Sequence, residues 1–313
     1  MKRALLIVNM GGPSNLDEVR PFLQSIFDDP LILTVPGFIR KPLSRLIVNR
    51  RIDKVMDRYA LIGGRSPILG WTEKLVDGLK HESSNGSEPY FDEISYAFRY
   101  SSPLIGKAIN QLHAQGIKEI TLLPLFPHHA LAMSGSIAIE AEKAAKDDNI
   151  KLSFIPAWGL EKPVISLQSQ YLADSMKGKD SETHVLFVAH GIPQRSVDRG
   201  EDYPIRVADS ARAISHSLPD GVSWSLAFQS RLGPVKWTEP YLEDEIKLHA
   251  AANKTLVIVP LSFVADCLET LYDLDIVAAK LAVQVGYMQI VRVRTFNDDP
   301  QFARIMLQIA SES

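Results

Sequence analysis

Residues 255–275 read TLVIVPLSFVADCLETLYDLD. The opening six, Thr255 to Pro260, form an apolar run of the kind that a strand buried on both faces of a parallel sheet requires. Just beyond it, Asp266, Glu269 and Asp273 stand at i, i+3 and i+7. A helix over this stretch would align three carboxylates on one face, at a cost of about 0.2–0.5 kcal/mol for each like-charged pair. A solvated acidic face is the plain reading of such spacing. However, Phe263, Val264, Leu268, Leu271, Tyr272 and Leu274 leave little of the helix for solvent. A cation, or a partner that needs acid groups, would relieve the repulsion.

The same alternation of apolar strand and helix runs outward from this stretch in both directions. Strands are predicted over 5–9, 93–98, 119–125, 184–189, 224–229 and 289–293. Helices are predicted over 71–81, 104–116, 137–146, 163–177, 203–218, 241–252 and 276–285. Such alternation predicts an α/β architecture with parallel sheets. The halves also echo each other. LLIVNMGGP (5–13) matches VLFVAHGIP (185–193), which sets Met10 against His190. AFRYSSP (97–103) matches AFQSRLGP (227–234), and LLPL (122–125) matches IVPL (258–261). Three matches in one order predict two similar domains, 1–160 and 161–313, facing each other across a cleft, with the last helix free to pack back on the first domain. Ligands of such folds lie beyond the carboxyl ends of the strands. That rule gathers Met10, Arg99, Tyr100, 134–136, His190, 231–237 and 266–273 along the cleft.

Composition narrows the function classes. The chain has 313 residues, 46% apolar and 23% charged, with a formal net charge of −3, which argues against a nucleic-acid binder. No run approaches the roughly 18–20 apolar residues of a membrane span. Met1-Lys2-Arg3 leads into a strand rather than an export signal. The single cysteine, Cys267, excludes an internal disulfide, a thiolate zinc site and a cysteine-ligated iron–sulfur cluster within one chain, and fits a reducing cytoplasm. The Gly11–Gly12 turn carries Asp17 and Glu18 where a phosphate would dock, so nucleotide binding is discounted. Ser134 and Ser136 lack the nucleophile-elbow pattern. His128 and His129 are expected at the surface or rim. Residues 83–89 are expected to be a surface loop.

Residues 31–58 differ in character. Apolar Leu31 to Ile39 precedes Arg40, Lys41, Arg45, Arg50, Arg51, Lys54 and Arg58, against Asp53 and Asp57. This reads as an amphipathic helix, or as a lip that meets an anionic, greasy ligand or a membrane surface. His190 closes a strand, and Gly191 lets the backbone turn beside it. An imidazole facing a carboxylate binds a divalent metal or shuttles protons near neutral pH. One His and one carboxylate are too few for permanent structural zinc and suit transient binding. Met10, Tyr100 and Trp237, together with Arg99, describe a surface for a large, flat, anionic molecule.

With these residues in hand, the sequence resembles the ferrochelatase family, whose members insert ferrous iron into a porphyrin during haem synthesis. NMGGP (9–13), GGRSPI (63–68), AFRYSSP (97–103), LPLFP with SGS (123–136), AHGIPQR (189–195), FQSRLGPVKW (228–237), PLSFVADCLETLYDLDI (260–276) and FNDDPQF (296–302) occur in family order. The resemblance implies two Rossmann-like domains with a porphyrin cleft. It implies His190 and Glu269 as the catalytic and metal-binding pair, with Asp273 and Asp266 along the metal path. It implies Met10, Arg99, Tyr100, Ser136 and Trp237 as porphyrin contacts, and residues 31–58 as the family's apolar lip. Met at position 10 goes in the family with protoporphyrin, and Tyr with coproporphyrin, so protoporphyrin IX and Fe2+ are the expected substrates. Neither an organic cofactor nor an iron–sulfur cluster is implied. A cytoplasmic monomer is, touching membrane at most transiently through the lip. Cys267 stands where many members carry His, and Val277 where the acidic line often continues. A cobalt- or nickel-inserting chelatase of the same fold, or a porphyrin carrier that kept the cleft, would share these features.

Overall fold

A computed structural model describes residues 2–84, 90–146, 150–231, 233 and 235–313. The expected loop over 83–89 therefore lies largely outside the described residues. The chain divides into two compact units, Met1–Ala157 with Asn297–Ser313, and Trp158–Phe296. The first carries β1 (Arg3–Asn9), α1 (Val19–Asp28), α2 (Gly37–Leu61), α3 (Ile68–Ser84), β2 (Glu93–Phe98), α4 (Ile105–Ala114), β3 (Glu119–Pro124), α5 (Ser136–Ala145) and β4 (Lys151–Phe154). The second carries α6 (Lys162–Met176), β5 (Thr183–His190), α7 (Gln194–Val197), α8 (Tyr203–Ser215), β6 (Ser223–Gln229), α9 (Leu242–His249), β7 (Thr255–Pro260), α10 (Ala279–Gln284) and β8 (Gln289–Arg292). The final helix, α11 (Pro300–Ser311), belongs to the first unit. There it packs on α3: a Cβ at Gly78 would lie 3.4 Å from Ala303 Cβ, and Arg304 grips the Glu82 carboxylate at 2.9 and 3.1 Å.

Each unit holds one parallel four-stranded sheet, and the two sheets share a single topology. Their orders are β2-β1-β3-β4 and β6-β5-β7-β8. The central strands are buried almost end to end, as the apolar runs require. β4 has no counterpart among the predicted strands. It is a four-residue edge strand, KLSF, too short and too polar to stand out as a buried run.

Alternation along the strands decides which helices cover which face. In the first unit Ala4, Leu6 and Val8 of β1 pack with Ile105, Ala108, Ile109 and Leu112 of α4 and Ile137 and Ala141 of α5. In the second, Leu186 and Val188 of β5 and Ala227 of β6 pack with Leu242 and Ile246 of α9 and with Leu274, Ala278 and Ala282. Burying each such side chain contributes about 1.5–3 kcal/mol. The equivalence extends to a rare detail. A π-helical segment, Leu131–Gly135, leads into α5, and a longer one, Glu269–Ala278, leads into α10. The i→i+5 hydrogen-bonding pattern is uncommon and concentrates at functional sites.

The repeat needs one correction. In the first unit Phe98 N–H donates to Pro103 O, and in the second Phe228 N–H donates to Pro240 O. Pro240, not Pro234, is the structural partner of Pro103; Pro234 itself lies outside the described residues. The second unit thus has the longer loop, and the extra length carries Trp237. Among the described residues, no helix is long and apolar enough to cross a membrane.

Far from His190 on the same strand, His184 is fully buried. Ser223 Oγ and Ser225 Oγ meet its two ring nitrogens at 2.8 and 2.9 Å, and its ring stacks on His249 at 3.8 Å. Burial, with a smaller contribution from His249, pushes its pKa down to about 3. The unfolded chain takes up this proton below about pH 6.5 and the folded protein does not. This stabilising contribution is complete above about pH 6.5 and falls by about 1.4 kcal/mol per pH unit as pH drops toward 3. Urea midpoints at pH 7 and pH 5 measure it. The wild type should lose more stability between the two than His184→Asn; equal losses would refute this role for His184.

Candidate active site

The predicted site residues fall into two clusters, each beyond the carboxyl ends of its own sheet. In the first unit β1 and β2 end side by side, with Asn9 paired to Phe98. Backbone bonds continue past the strands, from Arg99 N–H to Asn9 O at 2.9 Å and from Tyr100 N–H to Met10 O at 3.0 Å. Gly11 has φ +89°, and a Cβ there would lie 2.0 Å from Ser101 Oγ, so the turn that follows Met10 requires glycine.

Arg99, Tyr100 and Ser136 converge on a residue the sequence reading passed over, Asp29. Its side chain is 1% exposed. Its Oδ2 accepts from Arg99 Nη2 at 2.8 Å, Tyr100 Oη at 2.8 Å and Ser136 Oγ at 2.6 Å, while Oδ1 accepts from Leu31 N–H at 2.8 Å. Ser136 Oγ in turn accepts from Arg99 Nε at 2.8 Å. Burial alone would raise the Asp29 pKa. The bonds from Ser136, Leu31 and Tyr100 and the charge of Arg99 outweigh it and hold the carboxyl below its ordinary range. Burial first, then the Asp29 charge, pushes the Tyr100 phenol up. The bond to Leu31 also anchors the start of the lip. Past that anchor Leu31, Ile32 and Leu33 are only partly buried, Arg40 caps Leu33 O and Val35 O at 3.1 and 2.8 Å, and Phe38 on α2 is 81% exposed.

In the second unit β5 and β6 end in step, pairing His190 with Gln229. Both lie on the strand face of Leu186, Val188 and Ala227, which the π-helical segment covers through Leu274 and Ala278. Apolar packing lower in the sheet thus brings the helix's acids over the polar strand ends. His190 Nδ1 lies 3.0 Å from Gln229 Oε1, and Gln229 Nε2 donates to Asp273 Oδ2 at 2.6 Å. The His190 backbone is held on both sides, its N–H donating to Ser262 Oγ at 2.8 Å and its C=O accepting from Tyr203 Oη at 2.9 Å. Gln229 is 3% exposed. It too escaped the sequence reading, although its alignment with Arg99 in the repeat marked the position. Trp237 is set by an antiparallel bridge to Pro193, and Thr238 N–H donates to Ile192 O at 2.9 Å, so its loop runs beside the residues following His190.

The acidic stretch divides in two. Asp266 precedes the helix rather than sharing its face, a correction to the i, i+3, i+7 reading, because the chain from Leu261 to Cys267 is not helical. Asp266 pairs with Arg292 Nη1 at 3.1 Å, and the same guanidinium binds Asp275 at 2.6 and 3.0 Å. Glu269 opens the π-helical segment, with Asp273 four residues on. Cys267 is buried; burial, then the neighbouring Glu269 carboxylate, raises its thiol well above the ordinary value. It therefore stays a neutral thiol beside Glu269. Among the described residues no three His, Cys, Asp or Glu side chains gather in a way that could hold a metal, so His190, Glu269 and Asp273 do not form a cage. Of the two histidines expected at the surface or rim, His128 is buried at 2% exposed, while His129 is partly buried, its Nδ1 2.7 Å from Ser134 Oγ.

The family model described as Ferrochelatase matches residues 2–313. A ferrochelatase of Synechococcus elongatus is 32% identical over 318 aligned positions, covering 99% of this chain and 82% of that protein. One from Phenylobacterium zucineum is 36% identical, covering 91% and 84%, and one from Aquifex aeolicus is 34% identical, covering 96% of each. Among solved structures, SirB from Bacillus subtilis with Fe3+ superposes with a TM-score of 0.57 at 16% identity, covering 99% of this chain and 96% of that one. CbiX, the terminal enzyme of sirohaem biosynthesis in denitrifying bacteria, gives 0.55 at 13%, covering 100% and 99%. These two likenesses establish the fold alone.

Removing the Asp29 carboxylate leaves a half-buried guanidinium and two buried hydroxyls without their shared acceptor. Asp29→Ala should therefore cost about 3–5 kcal/mol of unfolding free energy in a urea titration. A loss below about 1 kcal/mol would mean that this carboxylate does not hold the cluster together.

Proposed function

This chain belongs to the ferrochelatase family, enzymes that insert a metal into a porphyrin for haem synthesis, and we propose that it inserts Fe2+ into protoporphyrin IX to form protohaem. The observation that carries the proposal is the family match from residue 2 to residue 313, which leaves neither cluster of site residues outside it. Met10 supports protoporphyrin over coproporphyrin by the family's residue preference. Met10, Arg99, Tyr100, Ser136 and Trp237 are the proposed porphyrin contacts, and the lip over 31–58 offers apolar surface to the macrocycle.

In the proposed mechanism the protein holds the porphyrin bent out of plane, because a flat macrocycle keeps its nitrogen lone pairs closed to a solvated ion. His190 accepts pyrrole N–H protons. Glu269 receives the metal or the departing protons, with Asp273 behind it. Asp273 and Asp266 serve the metal's approach; Asp266, its charge already shared with Arg292, is the weaker of the two. Two protons leave as one Fe2+ enters, so charge balances without a redox step, and the reaction calls for neither an organic cofactor nor an iron–sulfur cluster. The iron is substrate, which suits a site with few ligands. The protein is proposed to act as a cytoplasmic monomer, with any membrane contact brief and through the lip.

Insertion of Zn2+, or of Fe2+ without oxygen, into protoporphyrin and coproporphyrin is followed by loss of free-porphyrin fluorescence. Protoporphyrin should be the better substrate by kcat/KM. His190→Ala and Glu269→Gln should each lower kcat by about 10²–10⁴-fold. No turnover with either porphyrin would refute the activity. Turnover within about twofold of wild type in both variants would refute the site while leaving the family intact.

A further inference from the structure

With Asp273 ionised, the His190–Gln229–Asp273 line has one arrangement of donors that satisfies its two contacts. A carboxylate accepts and does not donate, so Asp273 Oδ2 must take an N–H from the Gln229 amide, and the 2.6 Å contact is with Nε2. That choice turns the amide oxygen toward His190, 3.0 Å from Nδ1. An amide oxygen also accepts only, so Nδ1 must carry the ring proton. In the neutral imidazole the Nε2 lone pair is then left open. Gln229 cannot rotate to another partner without stranding a buried amide, since its residue is 3% exposed. Nor can the imidazole slide along the strand, because Ser262 and Tyr203 fix the His190 backbone.

We propose that Gln229 is a positioning residue for metal insertion: it locks His190 in the Nδ1–H tautomer, keeping the Nε2 lone pair ready for a pyrrole proton or the incoming ion, with Asp273 fixing the amide's direction. The lock deepens the role given to His190 above and rests on it. Residues that orient an imidazole in this way typically contribute about 10–100-fold to activity or metal affinity. In the first unit the matching position is Arg99, whose Nε donates to Ser136 at the head of α5, so the duplicated fold has used this strand-end position twice to reach the covering helix.

The test is ¹⁵N NMR of the histidine rings in the full chain, with the His190 signals among the eight histidines assigned by their absence in His190→Gln. In the wild type at pH 7.5, Nδ1 should give the shift of a protonated nitrogen and Nε2 that of a bare one. Gln229→Leu should give mixed tautomers and lower kcat for Zn2+ insertion into protoporphyrin by about 10–100-fold, with KM for the porphyrin within about twofold. A wild-type His190 protonated on Nε2 would overturn the inference, and that spectrum needs no variant to fold. So would Gln229→Leu with tautomer and kcat unchanged. If His190→Ala were fully active, the role of His190 itself would fail, which is a separate outcome.

Discussion

Two parallel strands that end in register are the constraint from which the site follows. β5 and β6 pair from His184 with Ser223 up to His190 with Gln229. Below the top of that face Leu186, Val188 and Ala227 are apolar and press on the covering helices, while the top pair, like His184, Ser223 and Ser225 at the far end, is polar. The same packing that buries Leu186, Val188 and Ala227 therefore brings an acidic helix down over an imidazole and an amide. Polar groups in that position must bond to one another or lose about 1–3 kcal/mol each, and they do bond, in a line ending on Asp273.

The acids of that helix are sorted by where the cation sits. Arg292, at the end of the edge strand β8, takes Asp266 on one side and Asp275 on the other. Its guanidinium neutralises the acids that brace the segment. Glu269 lies beside the neutral Cys267 thiol, and Asp273 accepts from the Gln229 amide. The acidic stretch is thus part scaffold and part site, and burial of Cys267 keeps the thiol from competing as a thiolate ligand.

Most of the architecture was legible in the sequence. Buried parallel strands have few ways to be written, and the repeat of strand, glycine turn and helix predicted two similar α/β domains. His190 and the Arg99–Tyr100 pair could be found because strand ends are visible as the last residue of an apolar run. Three features were not. Asp29 sits at the end of α1 in a stretch with no motif, and only the fold brings it to residues 99 and 136. Gln229 looks like an ordinary strand residue until its register with His190 is known. Asp266 fits the spacing of an α-helix, but helical spacing says nothing of where the helix begins, and the π-helical turn that starts at Glu269 leaves Asp266 outside it. Long-range hydrogen bonds are tertiary facts, and periodicity does not encode them.

The central claim, that the second unit presents His190 through Nε2 to a metal ion with Glu269 as its acidic partner, is tested most directly by anomalous diffraction from crystals grown with Zn2+. The account predicts a peak about 2.0–2.1 Å from His190 Nε2, with a Glu269 oxygen in the same coordination shell. A peak on the Nδ1 side of that ring, or an ion held only at the His249–Glu245 pair on the other end of the sheet, would contradict it.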